Sequence, residues 1–76
     1  MLKNKEVYAI QRDDGMFYCD WDFPNGVYKP KFTRSIELCF LKKQFGSKYW
    51  CETEIRCNEL INCKPVRVDL HVVKNT

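Results

Sequence analysis

Two runs of alternating apolar and polar residues, 6–12 and 16–23, meet at Asp13-Asp14-Gly15. This junction constrains the fold more than any other feature of the chain. Asp-Gly between alternating runs signals a β-hairpin, because glycine takes the positive φ that a tight hairpin turn needs. A two-residue turn at Asp14-Gly15 sets Arg12 opposite Phe17, Ile10 opposite Cys19 and Tyr8 opposite Trp21. Tyr8, Ile10, Phe17, Cys19 and Trp21 then share a face predicted to line the core. Gln11, Asp13, Tyr18, Asp20 and Asp22 share the face predicted to meet water.

The rest of the chain extends this hairpin. Pro24-Asn25-Gly26 is a second turn signal and 27–32 reads as a third strand, which Pro30 confines to an edge because it has no N–H to donate. Residues 33–41 open with a helical turn capped by Thr33 or Ser35 and then continue extended. Residues 47–61 fit a strand pattern and a helix pattern. Helix is favoured, because Ser47 is a good N-cap after Gly46 and Trp50, Cys57, Leu60 and Ile61 gather on one side. After Pro65, Val66, Val68, Leu70 and Val72 alternate with Arg67, Asp69 and His71 as a half-buried strand. The expected fold is α+β: a small single-layer antiparallel sheet of four to five strands with one helix packed on one face. All 76 residues form one domain, because a chain this short buries only ~60% of its unfolded surface and needs its large apolar side chains for one core.

No apolar run approaches the ~20 residues that span a bilayer, and the opening Met-Leu-Lys-Asn-Lys-Glu lacks the apolar stretch of a signal peptide. The expectation is a cytoplasmic protein with no membrane partner. Its five cysteines, an odd number, then read as reduced thiols and not as a disulfide framework. The net charge of +3 is unevenly spread. Lys29, Lys31, Arg34, Lys42, Lys43 and Lys48 stand against the single acid Glu37 in 27–48, after a hairpin rich in aspartate.

The order of Tyr8-Ala-Ile-Gln-Arg-Asp-Asp-Gly-Met-Phe-Tyr18, Phe32-Thr-Arg-Ser-Ile-Glu-Leu-Cys39 and Val66-Arg-Val-Asp-Leu-His-Val72 loosely resembles small accessory proteins of bacterial viruses and mobile elements. Those proteins begin with a hairpin and end with helix and strand. The resemblance implies a non-enzymatic protein made in the bacterial host cytoplasm. Proteins of this kind often block host defence machinery, as anti-CRISPR proteins do.

Several constellations invite a chemical reading. Asp20 and Asp22, two apart on a strand, can approach one cation together with Asp13, yet a hard cation wants six or more oxygen ligands and no loop gathers them. Acid–base work needs two carboxylates in unlike environments within a cleft. Cys51, Cys57, Cys63 and His71 supply four ligand types for zinc but lack the close C-x2-C pair of structural sites. A thiol–imidazole nucleophile has no oxyanion element beside it. None of these points to a catalytic residue, metal or cofactor.

Tyr28-Lys-Pro-Lys-Phe-Thr-Arg34 interleaves cations with aromatic rings, a combination that suits single-stranded nucleic acid or a protein partner. It also describes a protected edge strand. The leading expectation is an inhibitor or adaptor binding a bacterial protein or ribonucleoprotein through Tyr18, Asp20, Asp22, Tyr28, Lys29, Lys31, Arg34, Lys42 and Lys43. A single-stranded nucleic-acid-binding module and a zinc-stabilised interaction module are the alternatives. The oligomeric state is open.

Overall fold

The computed structural model describes residues 7–68. Strands β1 (Val7–Arg12), β2 (Phe17–Asp22) and β3 (Lys29–Thr33) are followed by helices α1 (Ile36–Leu41) and α2 (Lys48–Cys57) and by strand β4 (Cys63–Val68). The strands form one antiparallel sheet in the order β3-β2-β1-β4. The α+β class is as expected, an open sheet with one main helix, and β3 lies at an edge as Pro30 requires. The predicted strand positions Asp69, Leu70, His71 and Val72 lie outside the described residues.

The first turn is one residue longer than its Asp-Gly signal suggests. Gly15 donates to the Arg12 carbonyl (2.9 Å) and Arg12 donates to the Met16 carbonyl (2.8 Å). Asp13, Asp14 and Gly15 therefore form a three-residue loop with Gly15 at φ 91°, the turn that ends in a glycine bulge. Asp14 holds it from both sides: its carboxylate accepts from the Met16 N–H (3.1 Å) and pairs with Arg12 (2.9 Å). Gln11, not Arg12, is then opposite Phe17.

That shift of one residue corrects the predicted faces, because side chains alternate along a strand. Ile10, Tyr18, Cys51 and Leu60 form one buried cluster, flanked by Tyr8, Phe32, Trp50 and Ile55 under α2. Ala9, Cys19 and Cys39 form a second cluster on the opposite face, flanked by Phe17, Ile36 and Leu38 under α1. Tyr18, predicted to be wet, is fully buried. Phe17 and Cys19 do not share the face of Tyr8 and Ile10.

Both helices start where a serine caps them. The Ser35 hydroxyl accepts from Leu38 N and the Ser47 hydroxyl from Trp50 N, satisfying one orphan donor in each first turn. α1 stays helical through Leu41 and does not revert to the extended form expected after its first turn. Two residues past the end of each helix the backbone turns left-handed, at Lys43 (φ 61°) after α1 and at Glu59 (φ 53°) after α2. The N–H of the next residue in each case, Gln44 or Leu60, reaches back to the carbonyl of Cys39 or Ile55 at 3.0 Å. These left-handed caps stop both helices without glycine.

Gly46 takes a strand's place beside β1. Continuing the β1–β2 register would bring Asp20 opposite Tyr8, but Tyr8 exchanges both backbone hydrogen bonds with Gly46 (2.7 and 2.9 Å). Tyr8 therefore has no backbone groups left for its β4 neighbour Arg67. By the same alternation the pair Ile10 and Pro65 is non-hydrogen-bonded. The missing N–H of Pro65 thus faces outward, so both edges of the sheet, β3 and β4, carry a proline.

Candidate interaction surface

An irregularity in β2 builds the most distinctive surface of the molecule. Tyr18 pairs with Phe32, but the next paired residue, Asp20, is opposite Lys31, so Cys19 is an extra residue against β3. Trp21 then pairs with Pro30 and Asp22 with Lys29. Paired residues share a face, and Pro30 and Phe32 lie two apart, so Trp21 returns to the side of Tyr18. Without the bulge the two would point in opposite directions.

Trp21 reaches that side beyond the cover of α2, at the end of the β2–β3 arm. There it stacks on Tyr28 with ring centroids 5.9 Å apart, and Phe23 meets both rings edge-on at 5.7 and 5.8 Å. The Tyr28 hydroxyl shares a hydrogen bond with that of buried Tyr18, anchoring the group to the core. Burial, reinforced by this bond, pushes the Tyr18 phenol well above its usual range. Trp21 is still 46% exposed, Phe23 55% and Val27 60%. The turn itself is tight, with Asn25 at φ 55° and Gly26 at φ 78°.

Asp20 and Asp22 lie on the other side of the arm, because their partners Lys31 and Lys29 share a face. Each turns one oxygen to the backbone, Asp20 to Trp21 N (2.8 Å) and Asp22 to Phe23 N (2.9 Å). Each offers the other to a lysine: Asp20 to Lys42 at 3.5 Å and Asp22 to Lys31 at 3.9 Å. The Trp21 N–H, helped by the charges of Lys42 and Lys31, holds the Asp20 carboxyl below its usual range. That environment favours the ionised form of the group.

Of the nine residues predicted to form a contact surface, Tyr18 is corrected, since it is buried and unavailable to a partner. Tyr28 is half-buried within the ring group, while Lys29, Arg34 and Lys43 are exposed. These three have no ion pair among the described residues, whereas Lys31, Lys42, Asp20 and Asp22 are tied to one another. Trp21 is corrected in the other sense, because it does not pack inward beside Tyr8. Phe23 and Val27 were not singled out by the sequence reading. Their signal was present: an apolar residue beside a Pro-Asn-Gly turn lies past the end of its strand, where no helix of the sheet covers it.

The cysteines divide by depth. Cys19, Cys39 and Cys51 are buried, Cys63 is half-buried and Cys57 is exposed. Burial pushes the Cys39 thiol up to about 12 and the Cys51 thiol up to about 11. The single S–H of Cys39 is shared between the carbonyls of Tyr18 and Gln44, each 3.1 Å from Sγ. Cys51 sits in the core and Cys57 on the outside of the same helix, so α2 turns two of the zinc candidates apart. Among the described residues no three of His, Cys, Asp and Glu come together to hold a metal ion, and His71 lies outside those residues.

The fold and this surface define a small α+β protein with an exposed aromatic hairpin end. No protein-family model, curated protein or solved structure matches the chain. Among the described residues no helix is long and apolar enough to cross a membrane.

Proposed function

We propose that the chain is a non-enzymatic binding protein that acts by occupying a site on a bacterial protein or ribonucleoprotein, with the Trp21-Phe23-Tyr28 group as its anchor. One observation carries the reading. Three aromatic rings are held against one another at the end of an arm, and two of them stay half in water. Tryptophan and tyrosine dominate binding hot spots because they bring large area with little rotamer freedom to lose. The tied carboxylates and the buried, protonated thiols favour contact over catalysis.

The resemblance to accessory proteins of bacterial viruses and mobile elements supplies the setting: the host cytoplasm, with a defence complex as target in the manner of anti-CRISPR proteins. The test is affinity capture from bacterial lysates, including cells that carry defence systems, with the wild-type chain beside a Trp21→Ala/Phe23→Ala variant. A stoichiometric partner held by the wild type and lost by the variant is expected. Recovery of no partner from any lysate overturns the reading.

The same rings, with the exposed cations Lys29, Arg34 and Lys43 elsewhere on the surface, support a second reading, a single-stranded nucleic-acid-binding module in which bases stack on Trp21 or Phe23. Titration with oligo-dT and oligo-U at low salt decides it through Trp21 quenching and a steep loss of affinity as salt rises. Flat titrations remove it.

A further inference from the structure

We propose that the ring group and Glu54 together receive an arginine side chain, carried on a basic peptide segment of the partner. This rests on the binding reading and names the chemistry of the partner.

The sign of the site comes from α2. Cys51 shares the buried cluster of Tyr18, and Glu54 follows three residues later on the same side of the helix. Asn58, one turn further on, donates to one of its carboxylate oxygens at 2.9 Å. Glu54 is half-buried and has no ion pair among the described residues. Its charge reaches the hydroxyl end of the ring group. Burial raises the Tyr28 phenol above its ordinary value, and Glu54 adds to that rise. The same charge acts on Tyr18, after burial and the bond with Tyr28. A carboxylate drawn partly out of water is stabilised by a paired cation.

The cations of the arm do not fill that place. Lys29 and Lys31 lie on the opposite face, across from Asp22 and Asp20. Arg12, on the side of Phe32, is already tied to Asp14 at 2.9 Å. The net charge of +3 repels a basic segment at a distance, but that force is screened beyond ~8 Å at physiological ionic strength, so local charges decide the contact. A phosphate backbone meets the same carboxylate as a repulsion.

The rings select the cation. Tyr28 stacks on the Trp21 indole with the ring planes 27° apart, and Phe23 meets it edge-on. Trp21 is still 46% exposed. A guanidinium is planar, stacks on an aromatic face and presents an N–H fork that matches a carboxylate, whereas the lysine ammonium is a hydrated point charge. The molecule already holds one arginine in this manner: the Arg12 guanidinium lies 4.0 Å over the Phe32 ring, with Asp14 as its acid. The rings are packed before the partner arrives, which lowers the ordering cost of binding.

The probe is a display library of random peptides selected on the immobilised full chain, with the best sequences resynthesised. Enriched peptides should share an arginine, and exchanging it for citrulline, which keeps the shape and removes the charge, should weaken binding at least about tenfold, a difference of 1.4 kcal/mol. Trp21→Ala and Glu54→Gln should each weaken it to a similar degree. Glutamine keeps an acceptor for Asn58, so Glu54→Gln removes the charge alone. Lys64→Gln, on β4, should leave binding unchanged. Circular dichroism confirms that each variant is folded.

Enrichment of acidic or uncharged peptides, tolerance of citrulline, or indifference to Glu54→Gln each overturns the proposal. So does the absence of any enriched peptide. If lysate capture yields a partner that depends on Trp21 and Phe23 but tolerates Glu54→Gln, the broader binding reading survives while this proposal falls. Binding of oligo-dT in place of every peptide fails both.

Discussion

Exchanging Tyr18 and Trp21 for alanine, one at a time, sets the observed register against the simplest register of an Asp-Gly hairpin. In the structure Tyr18 is fully buried, while Trp21 is 46% exposed. Truncating a fully buried aromatic costs about 3–5 kcal/mol, from lost transfer free energy and the cavity left behind. Tyr18→Ala should therefore cost about 4 kcal/mol. Trp21 buries roughly half its side chain, packed on Phe23 and Tyr28, so Trp21→Ala should cost about 2 kcal/mol. A domain of this length has roughly 4–11 kcal/mol of total stability. The first variant thus approaches the folding threshold and the second stays folded. Urea titrations followed by far-ultraviolet circular dichroism give both values. Tyr18→Phe, which keeps the ring and removes only the hydroxyl shared with Tyr28, gives a milder reference at about 1 kcal/mol. A Trp21→Ala variant as destabilised as Tyr18→Ala, or more so, would refute the three-residue loop and the bulge together, since the two-residue turn puts Trp21 inside and Tyr18 in water.

Three other outcomes follow from particular side chains. Ellman's reagent should find one promptly reactive thiol in the native protein, Cys57, with Cys63 slower and Cys19, Cys39 and Cys51 reacting only on unfolding; more than two prompt thiols would contradict the packing. Gly15→Ala should cost about 1 kcal/mol by thermal melting, because nothing lies within 4 Å of the added methyl and the penalty is the positive φ alone. The bond from Arg12, then that from Met16 N–H, hold the Asp14 carboxyl below its ordinary 3.8. A depressed carboxyl contributes stability that is complete above its unfolded value and is lost as pH falls through the lowered one. The melting temperature should therefore drop as pH falls below about 4, and Asp14→Asn should flatten that part of the profile.

The sequence made visible those features that one residue type decides. Pro30 could not sit in a central strand, Ser47 could cap a helix, and Asp-Gly had to turn. What stayed hidden depended on counting. A loop of two residues and a loop of three both accept Asp14-Gly15, and the difference transfers Phe17, Tyr18 and Cys19 to the other face before the bulge restores the parity of Asp20, Trp21 and Asp22. The Cys19 bulge carries no glycine or proline to mark it, and Cys19 is as apolar as its neighbours, so alternation alone runs straight through it. Residues 33–41 were read as a capped helical turn that continues extended, whereas α1 stays helical through Leu41. Ile36 and Leu38 pack with Phe17, Ala9 and Cys19, distant in sequence. Tyr18 was read as exposed at this hairpin, whereas it is buried and Trp21 and Phe23 are the rings that reach water there. The charges were read correctly as residues and incompletely as pairs, since Asp20–Lys42 and Asp22–Lys31 require the fold to bring them together.

The extra residue at Cys19 also divides β2 into two stretches under different rules. Up to Cys19, each side chain answers to a helix lying on the sheet, and a change there is felt by the core. From Asp20 onward the alternation restarts, and the side chains answer to β3, to the turn at 23–28, to Lys42 just past α1 and to water. Substitutions in the outer stretch can accumulate without disturbing the inner one. A scaffold so divided can exchange the chemistry at its tip, ring for ring or charge for charge, while the core beneath it stays the same.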